Sequence, residues 1–141
     1  MTPHRLLIVE DSDEDFQAIQ WALERLNRRH PLERCVDGDE AIDWLRSGRH
    51  WPSLILLDLN LPGTDGRDVL SALRADRRTR PLPVVVLSTS ASAQDVSDCY
   101  ALGASSYLTK PVNFAQFTEQ LRRTLDFWLD AAQLPAAPET L

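Results

Sequence analysis

Leu54-Ile55-Leu56-Leu57-Asp58 is four apolar residues running straight into an acid. A continuous apolar run of this length fits a parallel strand covered on both faces, where no residue alternates out to water. An aspartate at the end of such a strand is costly unless its charge is matched. Working outward, Leu6–Val9 and Val84–Leu87 have the same continuous character, and Leu32–Val36 and Ser106–Leu108 complete five short strands. Between them the apolar residues change to helical spacing. Phe16, Ile19, Leu23 and Leu26 share one face, as do Ala41, Ile42 and Leu45, then Val69, Leu70 and Leu73. Val96, Cys99 and Tyr100 mark a weaker fourth face, and Phe114, Phe117, Leu121, Leu125 and Trp128 a long fifth. Ser12 or Asp11 can cap the first helix and Asp65 the third. Pro62-Gly63 makes a turn and Gly103 ends the fourth helix. Regular βα alternation implies a doubly wound α/β fold, a parallel sheet with helices on both faces.

Composition narrows the function. The chain has 141 residues, 43% hydrophobic and 26% charged, enough for one domain with its own core. A net charge of −6 argues against nucleic-acid binding, which needs a basic face. The arginines at 25, 28 and 29 and at 74, 77, 78 and 80 read as solvated helix ends that complement the helix dipole. No apolar run is long enough to span a bilayer, and Glu10 and Asp11 interrupt the first run before it could serve as a secretory signal core. A cytoplasmic protein is expected. Cys35 and Cys99 fit neither a metal spacing nor a disulfide framework and are expected to be buried and reduced.

In open doubly wound sheets the ligand site lies beyond the carboxyl ends of the strands. Glu10, Asp11, Asp58, Ser88, Thr89 and Lys110 all end or follow a strand there. Singly, Glu10 or Asp11 could be a helix cap, Lys110 a surface lysine and Ser88 a strand-end hydroxyl. Together they describe a phosphoryl-transfer site. If the first and third strands are neighbours, three carboxylates converge and repel one another, a conflict that a hard cation such as Mg²⁺ resolves. Asp58 is then the nucleophile, and Lys110 helps neutralise the transferred group.

Leu7-Ile8-Val9-Glu10-Asp11, Leu56-Leu57-Asp58-Leu59-Asn60-Leu61-Pro62-Gly63, Leu87-Ser88 and Leu108-Thr109-Lys110-Pro111 resemble the motif set of response-regulator receiver domains. The resemblance covers roughly residues 5–130 and implies the flavodoxin-like strand order 2-1-3-4-5 (a receiver domain is a standard example of that order). It implies that Asp58 is the phospho-acceptor and that Glu10, Asp11, Asp58 and the Asn60 backbone carbonyl bind Mg²⁺ or Mn²⁺. Ser88 resembles the hydroxyl that bonds the phosphoryl group, and Tyr107 the aromatic switch coupled to it. Lys110 resembles the family's lysine, with a cis Lys110–Pro111 bond expected. Thr89 is larger than the usual residue there and leaves two adjacent hydroxyls, of which spacing favours Ser88.

The expected division is a receiver domain over residues 1–130 and a tail over 131–141. Because the chain stops soon after the fifth helix, a stand-alone regulator is expected. Its last helix resembles that of small regulators paired with phytochrome-type histidine kinases, which dimerise through the faces of the fourth and fifth helices. Phe127 and Trp128 are the candidate interface residues, or they cover the bottom of the sheet. Two other readings stay open. One is an aspartyl-phosphate hydrolase of the haloacid-dehalogenase kind, which would want a second acid where Asn60 stands. The other is a degenerate receiver acting only as a binding module.

Overall fold

The computed structural model describes residues 4–138. Five parallel strands form one sheet: β1 (Leu6–Val9), β2 (Leu32–Cys35), β3 (Leu54–Asp58), β4 (Val84–Ser88) and β5 (Ser106–Thr109). Their order is β2-β1-β3-β4-β5, as the resemblance implies. Five helices alternate with them: α1 (Asp13–Arg25), α2 (Gly38–Ser47), α3 (Gly66–Ala75), α4 (Ala93–Ala101) and α5 (Phe114–Leu125). A π-helical stretch, Asp126–Ala131, continues α5. In-register pairing sets Val9 beside Leu57 and Asp58 beside Leu87, so the strands end at a common edge.

The apolar runs are continuous because both faces are covered. Leu6, Ile8, Leu54, Leu56, Val85 and Leu87 pack with α1 and α5. Leu7, Val9, Ile55, Leu57, Val84 and Val86 pack on the other side with α2 and α3 and with Cys99 of α4. Each such side chain stabilises the fold by about 1.5–3 kcal/mol relative to exposure. Ser12 caps α1 and Asp65 caps α3, both by accepting a backbone N–H. Among the described residues, no helix is long and apolar enough to cross a membrane.

Several expectations need correction. Val36 falls outside β2 and is exposed, because its N–H turns to Glu40 Oε2 at the start of α2. Tyr100 is exposed, so only Cys99 of the fourth face is buried. The arginine clusters are not simply solvated helix ends. Arg28 pairs with Asp126 and Asp130 at 2.6 and 2.7 Å, joining the end of α1 to the π-helical stretch. Arg74 donates to the carbonyls of Gly103, Arg80 and Leu82, tying the end of α3 to the segment before β4 and to the turn after α4. Every described peptide bond is trans, Lys110–Pro111 included; for X-Pro bonds trans is favoured by about 0.5–1 kcal/mol.

Cys35 and Cys99 are free and buried, as expected, and burial pushes the Cys35 thiol up to about 12. Trp128 packs against the α1–α5 side of the core, whereas Phe127 stays 53% exposed. The two rings meet edge to face at 5.0 Å. Of the tail, residues 132–138 carry no regular structure, although Leu134 packs on the core. Residues 1–3 and 139–141 lie outside the described residues.

Candidate functional site

Glu10 is the first residue past β1, and its N–H donates to the Cys35 carbonyl at 2.9 Å, which extends the sheet by one bond. Asp58 is the last residue of β3. Both are buried, while Asp11 is exposed at the rim. Glu10, Asp11 and Asp58 each present a carboxylate oxygen, and these three atoms lie within 4.8 Å of one another. The convergence expected from sequence is therefore observed.

Lys110, just past β5, is held by a backbone bond from its N–H to the Ser88 carbonyl at 2.7 Å. Its ammonium crosses the sheet edge to Glu10 at 2.8 Å and Asp15 at 2.9 Å, and stands 3.8 Å from Asp58. The Lys110 ammonium thus faces three carboxylates, and Asp11 adds a fourth to the cluster. Burial, opposed by the Lys110 contact and reinforced by Asp58, pushes Glu10 up to about 7. Burial alone would lower Lys110, but its bonds to Glu10 and Asp15 outweigh that and hold it above the usual lysine range. Burial is thus the main reason Glu10 resists ionising, with the nearby Asp58 charge adding to it, while the surrounding carboxylates favour the Lys110 cation. The donors are all oxygens, at a spacing one small ion can bridge, so the residues fit a hard divalent cation.

Ser88 is fully buried and Thr89 exposed, which favours Ser88 of the two hydroxyls. Ser88 does not bond Asp58; its Oγ accepts the N–H of Ser90 at 3.1 Å. Tyr107 packs against the α2–α3 side of the core, and its hydroxyl donates to the Ser90 carbonyl at 2.7 Å. Asn60 is exposed in the turn after Asp58. Phe127 and Trp128 lie in the C-terminal π-helical stretch, apart from this cluster.

Three residues of the site, Asp15, Arg34 and Gly66, escaped sequence reading; Ser90 could be placed near the mouth of the site, but not its bonds. Asp15 takes one bond of Lys110 but looks like an ordinary acid in a first helical turn. Arg34 on β2 donates from Nε to the Glu10 carbonyl at 3.0 Å and lies 4.8 Å over the Phe16 ring. Ser90 links Ser88 and Tyr107. Gly66 opens α3, and its N–H donates to the Leu59 carbonyl at 3.0 Å. A side chain there would strike the backbone, since a Cβ would lie 2.6 Å from the Asp58 carbonyl oxygen.

Fold and site define a flavodoxin-like α/β protein with three convergent carboxylates and one lysine at the carboxyl edge of its sheet. The chain belongs to the response regulator receiver domain family, which it matches over residues 6–122. Phosphorylation-dependent signalling is the function of that family. The probable methanogenesis regulatory protein FilR2 of Methanothrix harundinacea is 39% identical over 131 residues, covering 90% of this chain and 84% of FilR2. The response regulator Rcp1 of a Synechocystis strain is 38% identical over 140 residues, covering 96% of this chain and 95% of Rcp1. The crystal structure of Rcp1 in its Mn²⁺-bound form superposes with a TM-score of 0.87, at 37% identity over 95% of this chain and all of that one. The phosphorylated cyanobacterial phytochrome response regulator RcpA superposes with a TM-score of 0.90, at 38% identity over 96% of this chain and all of that one.

Proposed function

We propose that this protein is a response regulator that accepts a phosphoryl group on Asp58 from a histidine kinase. The observation that carries the reading is the meeting of Glu10, Asp11 and Asp58 within 4.8 Å, with Lys110 3.8 Å from Asp58. In this reading Glu10, Asp11, Asp58 and the Asn60 backbone carbonyl hold Mg²⁺ or Mn²⁺. The bound cation supplies positive charge that offsets the crowded carboxylates and the incoming phosphoryl oxygens.

An Asp58 carboxylate oxygen attacks phosphorus in line with the P–N bond of a phosphohistidine. The P–O bond forms as the P–N bond breaks, and its electron pair stays on the imidazole nitrogen. Lys110 stabilises charge on the transferred group, and the Ser88 hydroxyl donates to one of its oxygens. Attack by water on the same phosphorus returns free Asp58 and phosphate, so the switch resets itself. Ser88 and Tyr107 carry the change to the surface.

The kinase is of the phytochrome type in this reading, on the likeness to RcpA over 96% of the chain, and the protein works in the cytoplasm. Nucleic acid and membrane are not partners, in keeping with a net charge of −6. The exposed Phe127, at the end of the long last helix, supports homodimerisation through the α4–α5 face. Light scattering should give a dimer for the wild-type protein and a smaller mass for Phe127→Ser. Equal masses would remove Phe127 from the interface.

The test of the acceptor is chemical. With Mg²⁺ and acetyl phosphate, intact mass should rise by one phosphoryl group, and with EDTA it should not. Peptide mapping should place the group on Asp58. Uptake at another residue, or uptake indifferent to EDTA, would sink the reading.

A further inference from the structure

Ser90 uses all three of its polar groups. Its N–H donates to Ser88 Oγ at 3.1 Å, its carbonyl accepts the Tyr107 hydroxyl at 2.7 Å, and its own hydroxyl donates to Asp95 Oδ2 at 2.5 Å. Asp95 sits in the first turn of α4. Its other oxygen accepts Arg67 Nη2 from α3 at 2.6 Å. Arg67 also stands 3.7 Å from Asp65, the cap of its own helix. A continuous chain therefore runs from α3 through α4 and the loop to Ser88, with Tyr107 as a branch.

The chemistry of that chain bears on Ser88. A serine hydroxyl has one proton to donate and two lone pairs to accept with. The Ser90 N–H occupies one lone pair and fixes the direction of the oxygen, which leaves the proton for an acceptor on the site side. Ser90 can do this only while the loop holds its shape, and the Asp95 carboxylate anchors that loop together with the Tyr107 hydroxyl and the Ser92 N–H, which donates to Ser90 Oγ at 3.2 Å. Charge-assisted bonds such as Arg67–Asp95–Ser90 are stronger and more directional than neutral ones, and both charged side chains are about two-thirds covered.

We propose that Arg67 and Asp95 are positioning residues for the phosphoryl site: through Ser90 they orient the Ser88 hydroxyl and seat the Tyr107 ring. This rests on the reading of Asp58 as acceptor. The two acids and the arginine touch neither Asp58 nor its metal-binding neighbours, so the device acts on the hydroxyl side of the site alone.

The probes are beryllofluoride with Mg²⁺, read by calorimetry, and the ¹⁹F spectrum of the 3-fluorotyrosine-labelled protein. The chain has two tyrosines, and Tyr100→Phe assigns the pair. Ser90→Ala and Asp95→Ala should each weaken beryllofluoride binding about tenfold, the scale of one lost charge-assisted bond. Each should also move the Tyr107 resonance, and Mg²⁺ affinity should be unchanged. The double variant should be no worse than either single one, because both break the same chain. Arg67→Lys should retain most of the affinity and Arg67→Met should not. Ser90→Ala leaves α4 intact, so it decides the matter if Asp95→Ala fails to fold. An unmoved Tyr107 resonance, with affinity within about twofold of wild type, overturns the proposal. Beryllofluoride binding that is equal in wild type and Asp58→Asn, or absent from both, would fault the acceptor reading instead. The Tyr107 resonance of Ser90→Ala, recorded without any added ion, then still decides whether the chain seats the ring.

Discussion

Asp58→Asn is expected to abolish phosphoryl uptake and to make the metal-free fold more stable. The first effect follows from chemistry. On the proposed mechanism an amide lacks the anionic oxygen that would attack phosphorus, and no other carboxylate of the cluster ends β3 as Asp58 does. The second follows from charge. Asp58 lies within 4.8 Å of the oxygens of Glu10 and Asp11, and one ammonium stands 3.8 Å away. At an effective dielectric of about 20 each such pair is worth about 3.5–4.5 kcal/mol, so Lys110 offsets one repulsion and leaves another. Removing the charge should raise stability in EDTA by about 1–3 kcal/mol after solvent screening, or about 4 °C in Tm per kcal/mol. With Mg²⁺ the order should narrow or reverse. The wild type gains about 2.7 kcal/mol when the ion stands at a hundred times its Kd, and the variant, short of one ligand, gains less. Intact mass after acetyl phosphate and thermal melts in EDTA and in Mg²⁺ check both parts. A variant that takes up phosphate at the wild-type level removes Asp58 from the mechanism. A variant that melts lower in EDTA shows that the cluster is not held against repulsion.

That cluster was legible because the strand runs end on it. Leu54–Leu57 could be read as a doubly covered strand without knowing its neighbours, and so could Leu6–Val9 and Val84–Leu87. Once these were parallel, Glu10, Asp58 and Lys110 had to share an edge. What failed was whatever depends on distance between segments remote in sequence. Arg28 and Arg74 looked like helix-end cations, because the carboxylates of Asp126 and Asp130 and the carbonyl of Gly103 are distant in sequence but adjacent in space. Asp15 and Asp95 look alike in sequence, each an acid in a first turn, yet one holds Lys110 and the other Ser90. The aromatic end was half legible. The spacing Leu121, Leu125, Trp128 follows an α-helix, but the chain widens into a π-helical stretch from Asp126. The register there buries Leu129, leaves Trp128 half-buried against the core and turns Phe127 outward. Periodicity placed Trp128 on the apolar face, as observed, but because it assumes one pitch throughout it gave no sign that Leu129 is the buried residue of the stretch.

Gly66→Ala is expected to destabilise the protein by about 2–3 kcal/mol and to slow phosphoryl uptake as well. Propensity alone forecasts the opposite, because alanine in a helix is favoured over glycine by about 1 kcal/mol. Nor does Gly66 need glycine for a left-handed backbone, as Gly63 does with φ of +67°. The reason is a close approach. A Cβ on Gly66 would lie 2.6 Å from the Asp58 carbonyl oxygen and 2.9 Å from the Leu59 Cα. Both are backbone atoms at the end of a buried strand, so neither can rotate aside as a flexible side chain would. Relief requires α3 or the Asp58–Leu59 peptide to shift, and the Gly66 N–H bond to Leu59 would stretch with it. The overlap outweighs the helix preference, and the displacement falls on Asp58, the proposed acceptor. Gly63→Ala is the contrast: nothing lies within 4 Å of its Cβ, so it carries only the left-handed strain of about 1–2 kcal/mol. Urea unfolding and acetyl phosphate uptake of both variants separate these causes. Gly63→Ala should lose stability while keeping uptake near wild type, and Gly66→Ala should lose both. A Gly66→Ala protein as stable as wild type would mean that α3 packs against the acceptor strand with room to spare, and the position of Asp58 would then need another explanation.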